Sequence, residues 1–203
     1  VLLLDEPLGA LDVKIRRQMQ DELHALQRSL NATFIHVTHD QEEAMSIADT
    51  IVLLNNGRIE DIGPPERVYR KPASLFAATF MGDANILEGT VAAVGNGEVA
   101  IDTPLGRIVA AGKSQVGAKV QLSIRPESIR IGGANGGSAT SLGHAVLQDP
   151  VFQGTHRRCQ AAVSGNNGRL LLRLPADAAT TPDAKVELWV RAQDVTVIGE
   201  EAE

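Results

Sequence analysis

The sequence predicts an α/β segment over residues 1–82 followed by an all-β domain over residues 83–203. Three observations predict it. Up to Met81, short apolar runs alternate with stretches of helical period, the order of a parallel sheet with crossover helices. From Ile86 that period stops, and short alternating runs punctuated by Gly take over. At 203 residues and 43% hydrophobic, the chain is long enough to bury one large core or two smaller ones.

Val1 to Leu4 is a fully apolar run and reads as a buried parallel strand. Asp12 stands where an N-cap belongs, ahead of a helix whose apolar positions Ile15, Met19, Leu23, Leu26 and Leu30 form one stripe facing the sheet. Thr33 to Val37 makes a second strand, and Asp40-Gln41-Glu42-Glu43 opens a short helix in the manner of a capping box. Asn55-Asn56-Gly57 between two apolar runs signals a hairpin, and two short helices follow Pro64-Pro65. In the β region, strands are expected at 87–94, 99–101, 107–110, 120–124, 144–147, 157–163, 169–174, 185–191 and 195–198. Gly132 to Ser138 reads as a linker dividing that region in two. Ala118–Arg125 and Ala184–Arg191 agree at five of eight positions at an offset of 66, a candidate internal repeat.

Two adjacent carboxylates, Asp5 and Glu6, close the first strand at the end where open α/β sheets bind ligands. Phosphoryl transfer uses such a pair: one carboxylate holds Mg²⁺, usually through water, and its neighbour orients or deprotonates the attacking water. Asp5 and Glu6 fit those roles in that order. A solvated acidic turn is the alternative on these residues alone.

The flanking residues carry a resemblance. Leu4-Asp5-Glu6-Pro7-Leu8-Gly9-Ala10-Leu11-Asp12 resembles the joined Walker B strand and D-loop of ABC ATPases, and Val37-Thr38-His39-Asp40 resembles their switch-histidine segment. Gln41 to Met45, Asn56 to Ile59 and Gly63 to Tyr69 continue the likeness, which extends over nearly all of residues 1–82. Phe80-Met81-Gly82 with Asn85-Ile86-Leu87, and Ile124-Arg125-Pro126-Glu127, resemble the junction and the Arg-Pro-Glu segment of an appended TOBE domain. The class resembled is the ATP-binding subunit of bacterial importers for spermidine/putrescine, ferric iron, sulfate or maltose, polyamine and ferric types above all.

The resemblance implies the C-terminal half of a P-loop NTPase sheet followed by an OB-like TOBE barrel. It implies ATP and Mg²⁺ as cofactors, Asp5 assisting the metal, Glu6 as catalytic base, Asp12 at the contact with a second ATPase subunit, and His39 sensing the γ-phosphate. Permease subunits would be direct partners and a periplasmic or lipoprotein solute-binding protein an indirect one, at the cytoplasmic face of the inner membrane. The sequence departs from the family in having no Gly-rich loop ending in Lys and Ser or Thr and no Ser-Gly-Gly signature, so the chain is expected to be a C-terminal piece that is inactive alone. The alternative is a non-catalytic regulatory or dimerisation module acting through the β domain.

Several other readings follow from the residues. A net charge of -6 and no Lys/Arg block argue against a nucleic-acid role. No apolar run approaches the roughly 18 residues of a membrane span. The single cysteine, Cys159, is expected to be packed. Arg125, Glu127 and Arg191 form either a rim site for a small anion or strand-end ion pairs, and Trp189 and Phe152 read as core residues.

Overall fold

A computed structural model describes residues 1–9, 11–133, 138–165, 168–178 and 180–199. The chain divides into two compact units, Val1–Tyr69 and Arg70–Glu203. The change of composition near residue 82 therefore falls twelve residues beyond the change of compaction, because helix α4 (Leu75–Phe80) packs with the β unit.

In the first unit, β1 (Leu2–Asp5) runs parallel to β2 (Phe34–Val37), in register from Leu2 opposite Phe34 to Asp5 opposite Val37. The connection is α1 (Val13–Leu30), which Asp12 starts by accepting hydrogen bonds from the amides of Lys14 and Ile15 at 2.9 and 3.0 Å. Asn31 ends it in the left-handed conformation, φ 45°. A short helix α2 (Gln41–Ile47) follows, then the hairpin of β3 (Ile51–Asn55) and β4 (Arg58–Gly63), then α3 (Pro65–Arg70). Asn56 and Gly57 both have positive φ, 49° and 77°, as an Asn-Gly hairpin turn requires.

Two expectations fail here. The first strand is not buried: Leu3 is 71% exposed, and Ile35 and Val37 on its partner are 50% and 55% exposed. The apolar stripe of α1 is also open, with no buried residue in the helix. A two-stranded pair with one crossover helix has too little surface to cover both faces of a parallel strand. The parallel sheet of this chain is that pair alone among the described residues.

The second unit is built from two five-stranded antiparallel sheets. The first contains β5 (Asn85–Gly95), β6 (Glu98–Thr103), β7 (Gly106–Ala111), β8 (Lys119–Ile124) and β14 (Val195–Gly199), in the order β14-β8-β5-β6-β7. The second contains β9 (Arg130–Ile131), β10 (Ala139–Phe152), β11 (His156–Val163), β12 (Arg169–Pro175) and β13 (Lys185–Arg191), in the order β12-β11-β10-β13-β9. The two orders are the same apart from one reciprocal exchange. β8 leads through a 3-10 turn at Pro126–Ser128 into β9, which joins the second sheet; β13 leads through a 3-10 turn at Ala192–Asp194 into β14, which joins the first. The repeat at an offset of 66 thus coincides with a strand, turn and strand used twice.

The linker reading falls partly on residues 134–137, which lie outside the described residues. Its proposed role as a divider needs correction, since each half completes its sheet with the other's last strand. Leu122, Ile124, Ile101 and Ile108 from one sheet and Leu142, Leu147, Leu172 and Leu188 from the other form one continuous core, and Cys159 is packed in it. The core is locked by Asn85, whose amide donates to Leu171 O at 2.9 Å and to Ile124 O at 3.3 Å and whose oxygen accepts from Leu171 N at 2.7 Å. An Asn side chain here occupies the free edge of β12 as a neighbouring strand would.

Candidate functional site

Parallel register brings the ends of β1 and β2 side by side. Glu6 N continues the ladder by donating to Val37 O at 2.9 Å, and Glu6 then leaves the strand with φ 44°. That turn sends its carboxylate to His39, where Oε1 lies 2.8 Å from Nδ1 across a separation of 33 residues. Both side chains are open to solvent, at 53% and 75% exposure. The hydrogen bond to Glu6, then the Coulomb attraction of the same carboxylate, raises the His39 pKa above its ordinary value; Asp40 and Glu43 add to it. The imidazole therefore holds a proton over a wider pH range than a free histidine does.

The residues around His39 are fixed more firmly than the pair itself. Glu43 is buried and accepts from Thr38 Oγ1 at 2.6 Å while its other oxygen meets His36 Nε2 at 2.7 Å. The Asp40 amide donates to Thr38 Oγ1, and Asp40 Oδ1 accepts from the Glu43 amide at 3.0 Å. Asp40 Oδ2 in turn holds Arg16 at 2.6 Å, and the other arm of Arg16 donates to Leu11 O at 3.1 Å. Arg16 so joins the turn ahead of α1 to the turn that carries His39.

Of the four predicted site residues, Glu6 and His39 are brought into contact. Asp5 ends β1 in register with Val37 and is exposed; Asp12 caps α1. Sequence reasoning missed Arg16 and Glu43. For Glu43 the spacing from Asp40 was visible as a capping box, but the carboxylate turns to Thr38 and His36 rather than back to the Asp40 amide. Among the described residues no group of three or more His, Cys, Asp or Glu side chains is placed to hold a metal ion.

Three expectations for the β unit are settled by contacts. Arg125 is buried, and its Nη1 donates to the carbonyls of Ala78, Gly82 and Asp83 at 2.9, 3.2 and 3.0 Å, so it holds the end of α4 rather than a rim site. Arg191 pairs with Asp194 at 2.6 Å. Phe152 is 59% exposed with the Arg157 guanidinium 5.6 Å above its ring, and Trp189 is half-buried on the face opposite buried Leu188 and Val190. Neither aromatic is a core residue, because strand alternation turns Trp189 outward and Phe152 stands at the hairpin end of β10, paired with Arg157.

Residues 122–198 match the TOBE domain family. The spermidine/putrescine import ATP-binding protein PotA of Trichodesmium erythraeum is 37% identical over 199 residues, covering 94% of this chain and 52% of that protein. PotA of Rubrobacter xylanophilus is 49% identical over 207 residues, covering 98% and 54%. The chain is a relative of ABC importer ATP-binding subunits, with a TOBE domain. The chain spans about half the length of the curated relatives it matches, 52% and 58% for PotA of Trichodesmium erythraeum and of Oleidesulfovibrio alaskensis. The TOBE match begins at β8 and ends in β14, so it takes in both exchanged strands. Among the described residues no helix is long and apolar enough to cross a membrane.

Proposed function

We propose that residues 1–82 supply the hydrolytic edge of an ABC importer ATPase, with Glu6 as the base for the attacking water and His39 as the γ-phosphate sensor. The observation that carries this reading is the 2.8 Å contact of Glu6 with His39 at the paired ends of two parallel strands. A protonated His39 presents positive charge where phosphate charge develops, and the Glu6 carboxylate accepts a proton within one hydrogen bond of it.

Asp5 fits Mg²⁺ only as a single exposed carboxylate reaching it through water, since no multidentate cluster surrounds it among the described residues. ATP bound beside the site supplies the phosphoryl group. Asp12 serves the contact with a second subunit while capping α1, and Arg16 keeps that turn in register with His39. The open faces of β1 and α1 agree with further sheet covering them in the working subunit. Permease subunits, a solute-binding protein acting indirectly and a peripheral place on the cytoplasmic face of the inner membrane complete the proposal. Polyamines are the cargo favoured by the PotA relatives.

Glu6→Gln in an ATP-binding subunit that joins these residues to a phosphate-binding loop should abolish steady hydrolysis and retain ATP binding. Retained turnover sinks the assignment of the base. The 203 residues contain no such loop, so calorimetry on the chain itself should detect no tight ATP binding. A regulatory or dimerisation role for the second unit is supported by its own continuous core, and it predicts function in this chain without nucleotide.

A further inference from the structure

Two side-chain links join the turn after β1 to the turn after β2, and they are unequal. The first is the Glu6–His39 contact, whose two side chains are both more than half exposed. Between groups so open to water, such a contact has little holding force of its own. The second is Arg16, which reaches from α1 to both turns: Nη1 donates to Asp40 Oδ2 at 2.6 Å and Nη2 to Leu11 O at 3.1 Å. The Arg16 and Asp40 side chains are only 27% and 30% exposed, and Arg16 Nε is buried, so the guanidinium is seated between the turns.

The turn that carries His39 is anchored without Arg16. Thr38 Oγ1 donates to buried Glu43 and accepts from the Asp40 amide, and Asp40 Oδ1 caps α2 through the Glu43 amide, so His39 has a fastened residue on either flank. The turn that carries Glu6 is less secure. Past Glu6 N, which still pairs with Val37 O, its own hydrogen bonds are short-range, from Gly9 N to Glu6 O at 3.3 Å and from Leu11 N to Leu8 O at 3.2 Å. Among the described residues, Arg16 is the side chain that ties Leu11 to the β2 side by hydrogen bonds. We infer that Arg16 is a positioning residue, which keeps Glu6 within hydrogen-bond reach of His39 by fastening the Glu6 turn to Asp40. Its value to hydrolysis rests on the roles given to Glu6 and His39 above, whereas the dependence of one contact on the other needs no nucleotide.

His39 is faced by Glu6 from the first turn and by Asp40 and Glu43 from its own side, with the Arg16 guanidinium beyond Asp40. Removing the Arg16 charge by itself unmasks Asp40 and raises the imidazole pKa. Losing the Glu6 contact lowers it, because that contact is the largest cause of its rise. In the 203-residue chain, Arg16→Met should therefore bring the His39 pKa down towards its ordinary value in an NMR titration. The imidazole signals of His24, hydrogen-bonded to Ser46 O, and of His36, hydrogen-bonded to Glu43, should keep their shifts and report an intact first unit. Arg16→Lys retains the charge, but a single ammonium cannot span both acceptors as the guanidinium fork does, so it should lower the pKa by a smaller amount. A His39 pKa that rises or stays unmoved in either folded variant overturns the proposal. In an ATP-binding subunit that joins these residues to a phosphate-binding loop, Arg16→Met should lower kcat at least about tenfold with KM for ATP nearly unchanged. Where Glu6→Gln abolishes turnover, an unchanged kcat for Arg16→Met overturns it as well. Turnover retained by Glu6→Gln would remove the catalytic reading and leave the NMR result standing, so the two failures are told apart.

Discussion

Replacing Asn85 by Ala should cost the second unit about 3 kcal/mol, because it removes the side chain that pairs with Leu171 on the edge of β12. Asn85 is 7% exposed and makes three hydrogen bonds, two of them to the amide and carbonyl of Leu171. Ala leaves both Leu171 groups without that partner in a partly buried seam, at roughly 1 to 2 kcal/mol each. The assay is urea unfolding followed by Trp189 emission, which lies in this unit and ignores the first. With a slope of about 1.5 kcal/mol/M, the midpoint should fall by about 2 M. Asn85→Asp keeps the acceptor for Leu171 N and loses the donor to Leu171 O. Its folded pKa is then raised above the unfolded value, so this variant should be more stable at low pH and lose that stability as pH rises through the folded pKa. A midpoint shift below about 0.3 M for Asn85→Ala would refute the reasoning, since the Asn85 hydrogen bonds would then contribute little to holding the two sheets together.

Glu6→Gln in this chain should lower the His39 pKa towards its ordinary value, read by NMR titration of the imidazole; an unmoved pKa would mean that the contact does not persist in solution. Because the folded pKa is raised, whatever the contact contributes is present at low pH and lost as pH rises through that pKa. Gly89→Ala should destabilise the unit by about 1 to 3 kcal/mol in the same urea assay, as its Cβ would lie 2.5 Å from Ile101 Cγ2 and 2.9 Å from Asp102 O. Cys159 is 2% exposed and burial raises its thiol pKa, so a thiol reagent should label it slowly in buffer and rapidly in urea; equal rates would contradict its packing.

What the sequence made legible is local chemistry. Asn56-Gly57 fixed the hairpin because the turn type admits few residues, and Asp12 fixed the start of α1 because an orphan amide needs a short acceptor. β10 was legible only at 144–147 although it runs from Ala139 to Phe152, since register shifts at Ser141/Gly143 and Gln148/Val151 break the alternation that marks a strand. Burial was least legible. The stripe of α1 and the apolar β1 state a need for cover without saying what supplies it, and Trp189 has a core residue's composition in an outward position. At the site, order along the chain placed Glu6 near His39, but the roles of Arg16 and Glu43 depend on contacts 24 and 7 residues distant that no local pattern encodes.

The reciprocal strand exchange also sets a schedule for biosynthesis. β8 waits for β14, so the sheet whose first strand begins at Asn85 gains its last at Val195–Gly199, after every strand of the second sheet has been made. Until then the edge of β8 stands open and its core side chains lack part of their cover, a state in which nascent chains pair with the wrong neighbour. A stop codon just ahead of Val195 would thus injure the earlier-made of the two five-stranded sheets rather than the later.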